Sequence, residues 1–281
     1  MPSQYLILKR MKVSHANANP AWWIVGPPAM SAYAGLVGSI EYNASKMSGD
    51  KVSSIAFAVV HHDIDLKGEI FGGKFSPNQF RGANLIDNTD YSSGSSGPTL
   101  AMQPTASCHL TASLIIKFEE DVGISKKAVE QLIQASKLRL AGGRINSVSV
   151  HIAKSLEEAL SHFKTGFTVT DRKDLVEDYL ASPKPHNEKT KTPEVDDVDV
   201  LDATLYYLHP SRQESLPWLS ASTLGFARIS ETQQRLGSRD DHPHAFVEPV
   251  VGLIQYKPVR EEGLSFWKWS HPHPNVSVLT N

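Results

Sequence analysis

Histidine, cysteine and carboxylate side chains carry much of protein chemistry, and this sequence groups them in four places. His61-His62-Asp63-Ile64-Asp65 is the most tempting group, since imidazole and carboxylate together bind metal ions. Neighbours on a strand point to opposite faces, so His61 and His62 do not converge on one ion. His61, Asp63 and Asp65 can share a face, but the usual outcome for such a set is a solvated strand end, because ligands generally converge from several elements. His242-Pro243-His244 and His271-Pro272-His273 repeat the alternate spacing beside a proline, in loop-like sequence. Cys108-His109 has no evident third partner, which argues against a catalytic thiol. The sequence contains no Walker loop, dinucleotide fingerprint or serine nucleophile elbow. No catalytic residue, metal site or cofactor is expected.

The remaining chemistry is electrostatic. In Leu138-Arg139-Leu140-Ala141-Gly142-Gly143-Arg144, two arginines bracket two glycines. Glycine lets another backbone approach closely, and arginine supplies charge for a phosphate. The stretch therefore reads either as an ordinary helix-to-strand turn, since glycine closes many helices, or as a loop that contacts a phosphate backbone. Trp267-Lys268-Trp269 could stack bases, although two aromatics at alternate strand positions usually cover a core.

A helix and a strand must hold the glycine turn. Ser125 can cap a helix whose apolar residues Ala128, Val129, Leu132, Ile133 and Ala135 recur at three- and four-residue spacing. After the glycines, residues 144–152 alternate apolar and polar, as a strand does. Upstream, residues 4–13 form a first strand that ends in a polar turn from His15 to Pro20. Gly26-Pro27-Pro28 opens a helix over 29–47, in which Gly35 and Gly38 permit close packing against a sheet. Residues 52–66 are a long strand, apolar on both sides at its start. From Ile70 to Thr105 there is no period, so a long mobile loop is expected over about 70–105. Strand 107–118 follows. Helices at 155–163 and 171–180 belong to an inserted element at about 155–202, with a flexible linker over 182–193. Leu205–Leu208, 219–230, 245–256 and 264–269 are expected as strands that close one domain spanning 1–281. The fold class is α+β, and the strand-helix-strand order, twice over, fits a ferredoxin-like core.

Composition narrows the function classes. The formal charge of −2 over 281 residues argues against a free-standing nucleic-acid binder, which usually has a basic excess. Charge is uneven, however: residues 123–143 hold four bases and one acid, and residues 194–202 hold five acids and no base. The single cysteine excludes an intramolecular disulfide framework. The run Tyr5–Leu8 is too short for a signal peptide, and no stretch approaches bilayer length. A cytoplasmic protein with no membrane partner is expected.

Four stretches in order carry a family resemblance: Asn17-Ala-Asn19 with Gly26-Pro-Pro-Ala29, then Leu138–Gly143, then Gly166-Phe-Thr168. The fourth joins Leu224-Gly-Phe226, Phe246-Val-Glu248, Gly252-Leu253 and Trp269-Ser270. In this order they resemble the Csy-two family, the Cas-five-type subunit of type I-F CRISPR surveillance (Cascade) complexes. The resemblance runs from about Tyr5 to Ser270 and is thin across 71–105 and 182–202.

It implies an RRM-related, RAMP-type RNA-binding fold with an inserted thumb-like element. It also implies a non-catalytic role: holding the 5′ handle of the guide RNA (crRNA) and capping the backbone filament, with the large subunit and the backbone subunit as partners. The candidate RNA contacts are Asn17, Asn19, Arg81, Arg139, Gly142, Gly143 and Arg144. Trp22, Trp23 and the Trp267 region are expected to contribute apolar interface. Two alternatives stand beside this reading. One is a compact variant, or a transposon-linked one, whose subunit also meets target DNA near the protospacer-adjacent motif. The other is a guide RNA-processing endoribonuclease that uses His15, His61 or His62.

Overall fold

The computed structural model describes residues 3–21, 23–78, 105–119, 123–135, 137–185, 193–212, 215–236 and 242–281. Trp22 and Arg81 lie outside these, as do 79–104 of the expected mobile loop and 186–192 of the expected linker.

The chain opens with β1 (Gln4–Asn17), α1 (Met30–Ser48) and β2 (Ala56–Leu66). Ala29 precedes α1 without a capping side chain, and Ser222 from a distant strand accepts the Met30 N–H at 3.1 Å instead. Gly35 and Gly38 do not pack against the sheet as expected but face solvent; Met30, Tyr33, Leu36, Val37 and Ile40 form the inner stripe. The segment expected to be irregular from Ile70 begins with a hairpin, β3 (Gly68–Phe71) and β4 (Lys74–Pro77), too short to show a period.

Next come β5 (Ser107–Phe118), α2 (Lys126–Gln134), β6 (Arg139–Leu140) and β7 (Gly143–Ala153). Ser125 Oγ accepts the Ala128 N–H at 3.2 Å, so the expected cap is present. Then follow α3 (Leu156–Ser161), β8 (Phe167–Asp171) and α4 (Lys173–Ala181).

Leu205–Leu208, expected as a strand, lies in α5 (Val200–Leu208). Asp199 accepts from the Leu201 and Asp202 N–H groups while Asp202 accepts from Asp199 N–H, a reciprocal cap that fixes the helix start. Helical spacing then buries Tyr206 and Tyr207 against Tyr179 of α4. The remaining elements are β9 (Leu219–Arg228), β10 (Val247–Pro258), α6 (Val259–Glu262), β11 (Phe266–His273) and β12 (Val276–Thr280).

Among the described residues ten strands form one antiparallel sheet, in the order β11-β12-β9-β10-β8-β2-β5-β1-β7-β6. One end of the sheet closes on itself. The outer edge of β2 is shared by β8, at Val60 and His61, and by β11, at Ala58 and Phe57. β2, β8, β10, β9, β12 and β11 thus make a ring. Trp267, Leu279 and Val169 are fully buried there, and Trp267 Nε1 donates to Val169 O at 2.9 Å. Trp267 is therefore core rather than interface; among the described residues of the expected patches, Trp23 and Trp269 reach solvent.

The other end is open, and its two faces differ. Leu6, Leu8, Met11 and Val13 of β1 lie beneath α1 and α2. Tyr5 and Ile7 point the other way, under Ala159 of α3, Phe163 and Val259. Beyond Ile7 this second face is polar: Lys9, Lys12 and Ser14 pair across with Ser149, Ser147 and Arg144. Among the described residues no helix is long and apolar enough to cross a membrane.

Candidate nucleic-acid interface

The glycine turn does not end a helix. α2 stops at Gln134, and the turn belongs to a tight hairpin in which Arg139 pairs with Arg144 and Leu140 with Gly143. The two central residues, Ala141 and Gly142, have φ of +49° and +75°, the sense that matches the twist of paired strands. Gly143 has a different role. A Cβ there would stand 2.8 Å from the backbone of Ala16 and from Ser14 O, so only glycine lets β7 lie this close to β1.

The hairpin also meets the asparagine turn. Asn17 N–H donates to Ala141 O at 2.9 Å, which joins two of the expected contact loops. Asn17 Oδ1 accepts the Asn19 N–H at 3.0 Å. Asn19 is held on both sides, with Oδ1 accepting the Ala106 N–H at 2.6 Å and Nδ2 donating to Ile24 O at 3.2 Å. Its side chain is thereby committed to shaping the loop. Asn17, Asn19 and Ala141 line a groove together with Phe226 and Pro249.

Arg139 and Arg144 sit on the opposite side of the hairpin, exposed, on the polar second face of the sheet. Arg139 Nη1 donates to Gly142 O at 3.2 Å, which orients its guanidinium over the turn. Neither arginine is in an ion pair among the described residues. The structure thus sets Asn17, Asn19, Gly142, Gly143, Arg139 and Arg144 around one hairpin, but with the asparagines on one side and the arginines on the other, while Arg81 is outside the described residues.

The histidines divide by a bulge. The pairing of β2 with β5 slips between His61 and Asp63, so His61 turns inward while Asp63 and Asp65 are exposed on the far face. The shared face expected for His61 and the two aspartates is lost for this reason. His61 Nε2 lies 3.0 Å from Tyr33 Oη, with Tyr256 edge-on to the ring. Burial, reinforced by His62, lowers the His61 pKa to about 4. His62 Nε2 is 2.8 Å from Ser113 Oγ, and burial followed by Arg10 and Lys9 lowers its pKa to about 4 as well. Burial, followed by Asp65, pushes the Cys108 thiol up to about 11, so its reactive thiolate is disfavoured.

These features define an α+β protein organised on one large antiparallel sheet, with α1 and α2 over one face, the short α3 and α6 on part of the other, and a basic hairpin at its open end. Over residues 6–273 the chain matches the family model described as CRISPR-associated protein (Cas_Csy2), and it belongs to that family. No curated protein matches it.

Arg139 and Arg144 are legible as a pair in the sequence, but their strand pairing is not, because a two-residue strand has no period. The further cations on the same face, Lys9, Arg10 and Lys164, escape sequence reasoning. Lys9 and Arg10 are neighbours but Lys164 is remote from them in the chain, and nothing local links the three.

Proposed function

We propose that this chain is a non-catalytic subunit of a type I-F CRISPR surveillance complex. In this reading it holds the 5′ handle of the guide RNA, caps the backbone filament and works beside the large subunit. The core assigned to this role is ferredoxin-like and RRM-related. The antiparallel order β2-β5-β1-β7, with α1 after β1 and α2 after β5 on a common face, supports that assignment.

One observation carries the RNA reading: Arg139 and Arg144 are direct cross-strand partners. Like charges placed opposite one another destabilise a strand pair, and a phosphate between them removes the repulsion. Removing both charges by Arg139→Ala with Arg144→Ala should weaken guide RNA retention whatever the repeat sequence. It should also lower the salt slope by roughly 0.7 for each single-strand phosphate that is no longer neutralised. The thermal midpoint should hold or rise slightly, because a repulsion has gone. Wild-type RNA occupancy with an unaltered slope would make the turn purely structural.

Two observations support the absence of catalysis: His61 is enclosed by Tyr33 and Tyr256, and His62 is tied to Ser113. His15 differs, with an exposed ring 4.7 Å from that of His109. His15→Ala should leave guide maturation unchanged; cleavage by the isolated chain that this substitution abolishes would establish an endoribonuclease.

A further inference from the structure

Lys9, Arg10 and Lys164 surround one cleft on the second face of the sheet, and none is in an ion pair among the described residues. The cleft encloses about 170 Å³ and is also lined by His62, His162 and Thr165. A water takes about 30 Å³, so a tetrahedral oxyanion fits.

Two irregularities build it. Leu8 pairs with Leu114 and Met11 with Ala112, which leaves both Lys9 and Arg10 opposite Ser113. Arg10 takes a φ of +50° at this bulge, and its N–H donates to Ser113 Oγ at 2.8 Å, the same oxygen that His62 Nε2 meets. Its guanidinium then reaches Thr165 Oγ1 at 3.3 Å. The opposing loop is fixed by Arg260, whose Nε donates to Lys164 O. Gly166, at φ +122°, completes the approach: a Cβ there would stand 2.8 Å from His62 Nδ1. Bulge and loop therefore hold three cations around one space. The carboxylates Asp63 and Asp65 lie farther along the sheet on β2, across β5 from β1.

We propose that this cleft binds a backbone phosphate of a single-stranded nucleic acid, as a contact separate from the glycine turn. A strand fits better than a free anion because the polar face continues from the cleft. From Lys9, with Ser149 across from it, the face runs along β1 through Lys12, opposite Ser147, to Ser14, opposite Arg144, and so to Arg139. At about 3.3 Å per residue, Lys9 to Ser14 spans roughly 16 Å, long enough for one strand to touch both sites. The inference does not require the strand to be a guide handle.

The test uses the full chain and two labelled homopolymers, oligouridylate RNA and oligothymidylate DNA, titrated by anisotropy at several salt concentrations. Lys9→Gln with Lys164→Gln should weaken binding several-fold and reduce the log–log salt slope by about 0.7, the change expected when one phosphate of a single strand keeps its counterion. Lys164→Arg should bind as wild type, which separates charge from packing. Lys164 is exposed and Lys9 half-buried, so the Lys164→Gln single variant, with about half the slope change, covers any folding loss in the double. Weakening for RNA alone assigns the phosphate to guide-type strands; weakening for both extends it to displaced or target DNA. An unchanged affinity and slope, or a wild type that binds neither polymer, overturns the proposal. Arg139→Ala with Arg144→Ala, run in parallel, distinguishes the two readings. If only the arginine pair matters, this cleft falls and the glycine turn stands, and the converse holds if only the lysines matter.

Discussion

Inside the core, the His61 ring is held neutral between Tyr33 and Tyr256, with a pKa of about 4 against an ordinary 6.5. As pH falls, the unfolded chain takes up this proton first. The stability associated with the neutral ring is therefore complete above pH 6.5 and is lost between 6.5 and 4. The shift corresponds to about 3 kcal/mol at the acid end. Denaturation midpoints should drop across that window. His61→Leu should make the drop shallower, His62 with its pKa of about 4 supplying the remainder, while lowering the neutral-pH midpoint, because it strips the buried Tyr33 hydroxyl of its partner at a cost of about 1–3 kcal/mol. A variant with the wild-type pH profile would place the acid sensitivity elsewhere.

At the scale of elements, the β6–β7 hairpin separates two glycines that look alike in the sequence. Gly142 faces open space but has positive φ, so Gly142→Ala should cost about 1–2 kcal/mol. Gly143→Ala should cost more, because its Cβ would meet the backbone of Ala16, which cannot swing aside as a side chain could. Chemical denaturation of the two variants checks the order; equal losses would mean that β1 yields to β7 freely. The same hairpin shows what can be read from the sequence. The Ser125 cap and the alternation after Gly143 follow local rules, and both are present. Two glycines after an apolar helical run also resemble a helix stop, and only pairing between Arg139 and Arg144 decides for a hairpin. α5 departs from expectation for a related reason. Leu205-Tyr206-Tyr207-Leu208 suits a strand by residue type, and the reciprocal Asp199–Asp202 cap is hidden in an acidic run. The basic cleft depends on a bulge, a buried serine and a distant loop, none of which has a period.

For the molecule as a whole, the ring is the largest feature that the sequence does not reveal, since it consists of pairings between remote strands. Trp267 fills it, so Trp267→Ala should cost about 3–5 kcal/mol and leave the Val169 carbonyl without its donor. Loss of β11 from β2 should follow, seen as faster hydrogen exchange at Ala58 and Phe57 than at Ile115 and Ile116, which pair on the intact side. Uniform exchange along β2 would show that the ring does not depend on the tryptophan.

The shared edge of β2 also sets an order of events in time. Its partners β8 and β11 are made long after it, so a growing chain carries β2 with one row of amides and carbonyls unanswered while most of the protein is still to be synthesised. Such long-range closure is slow, and an open edge recruits whatever strand comes first. The finished molecule hides that edge, but the nascent one must guard it, so yield in the cell should depend on how quickly β11 arrives.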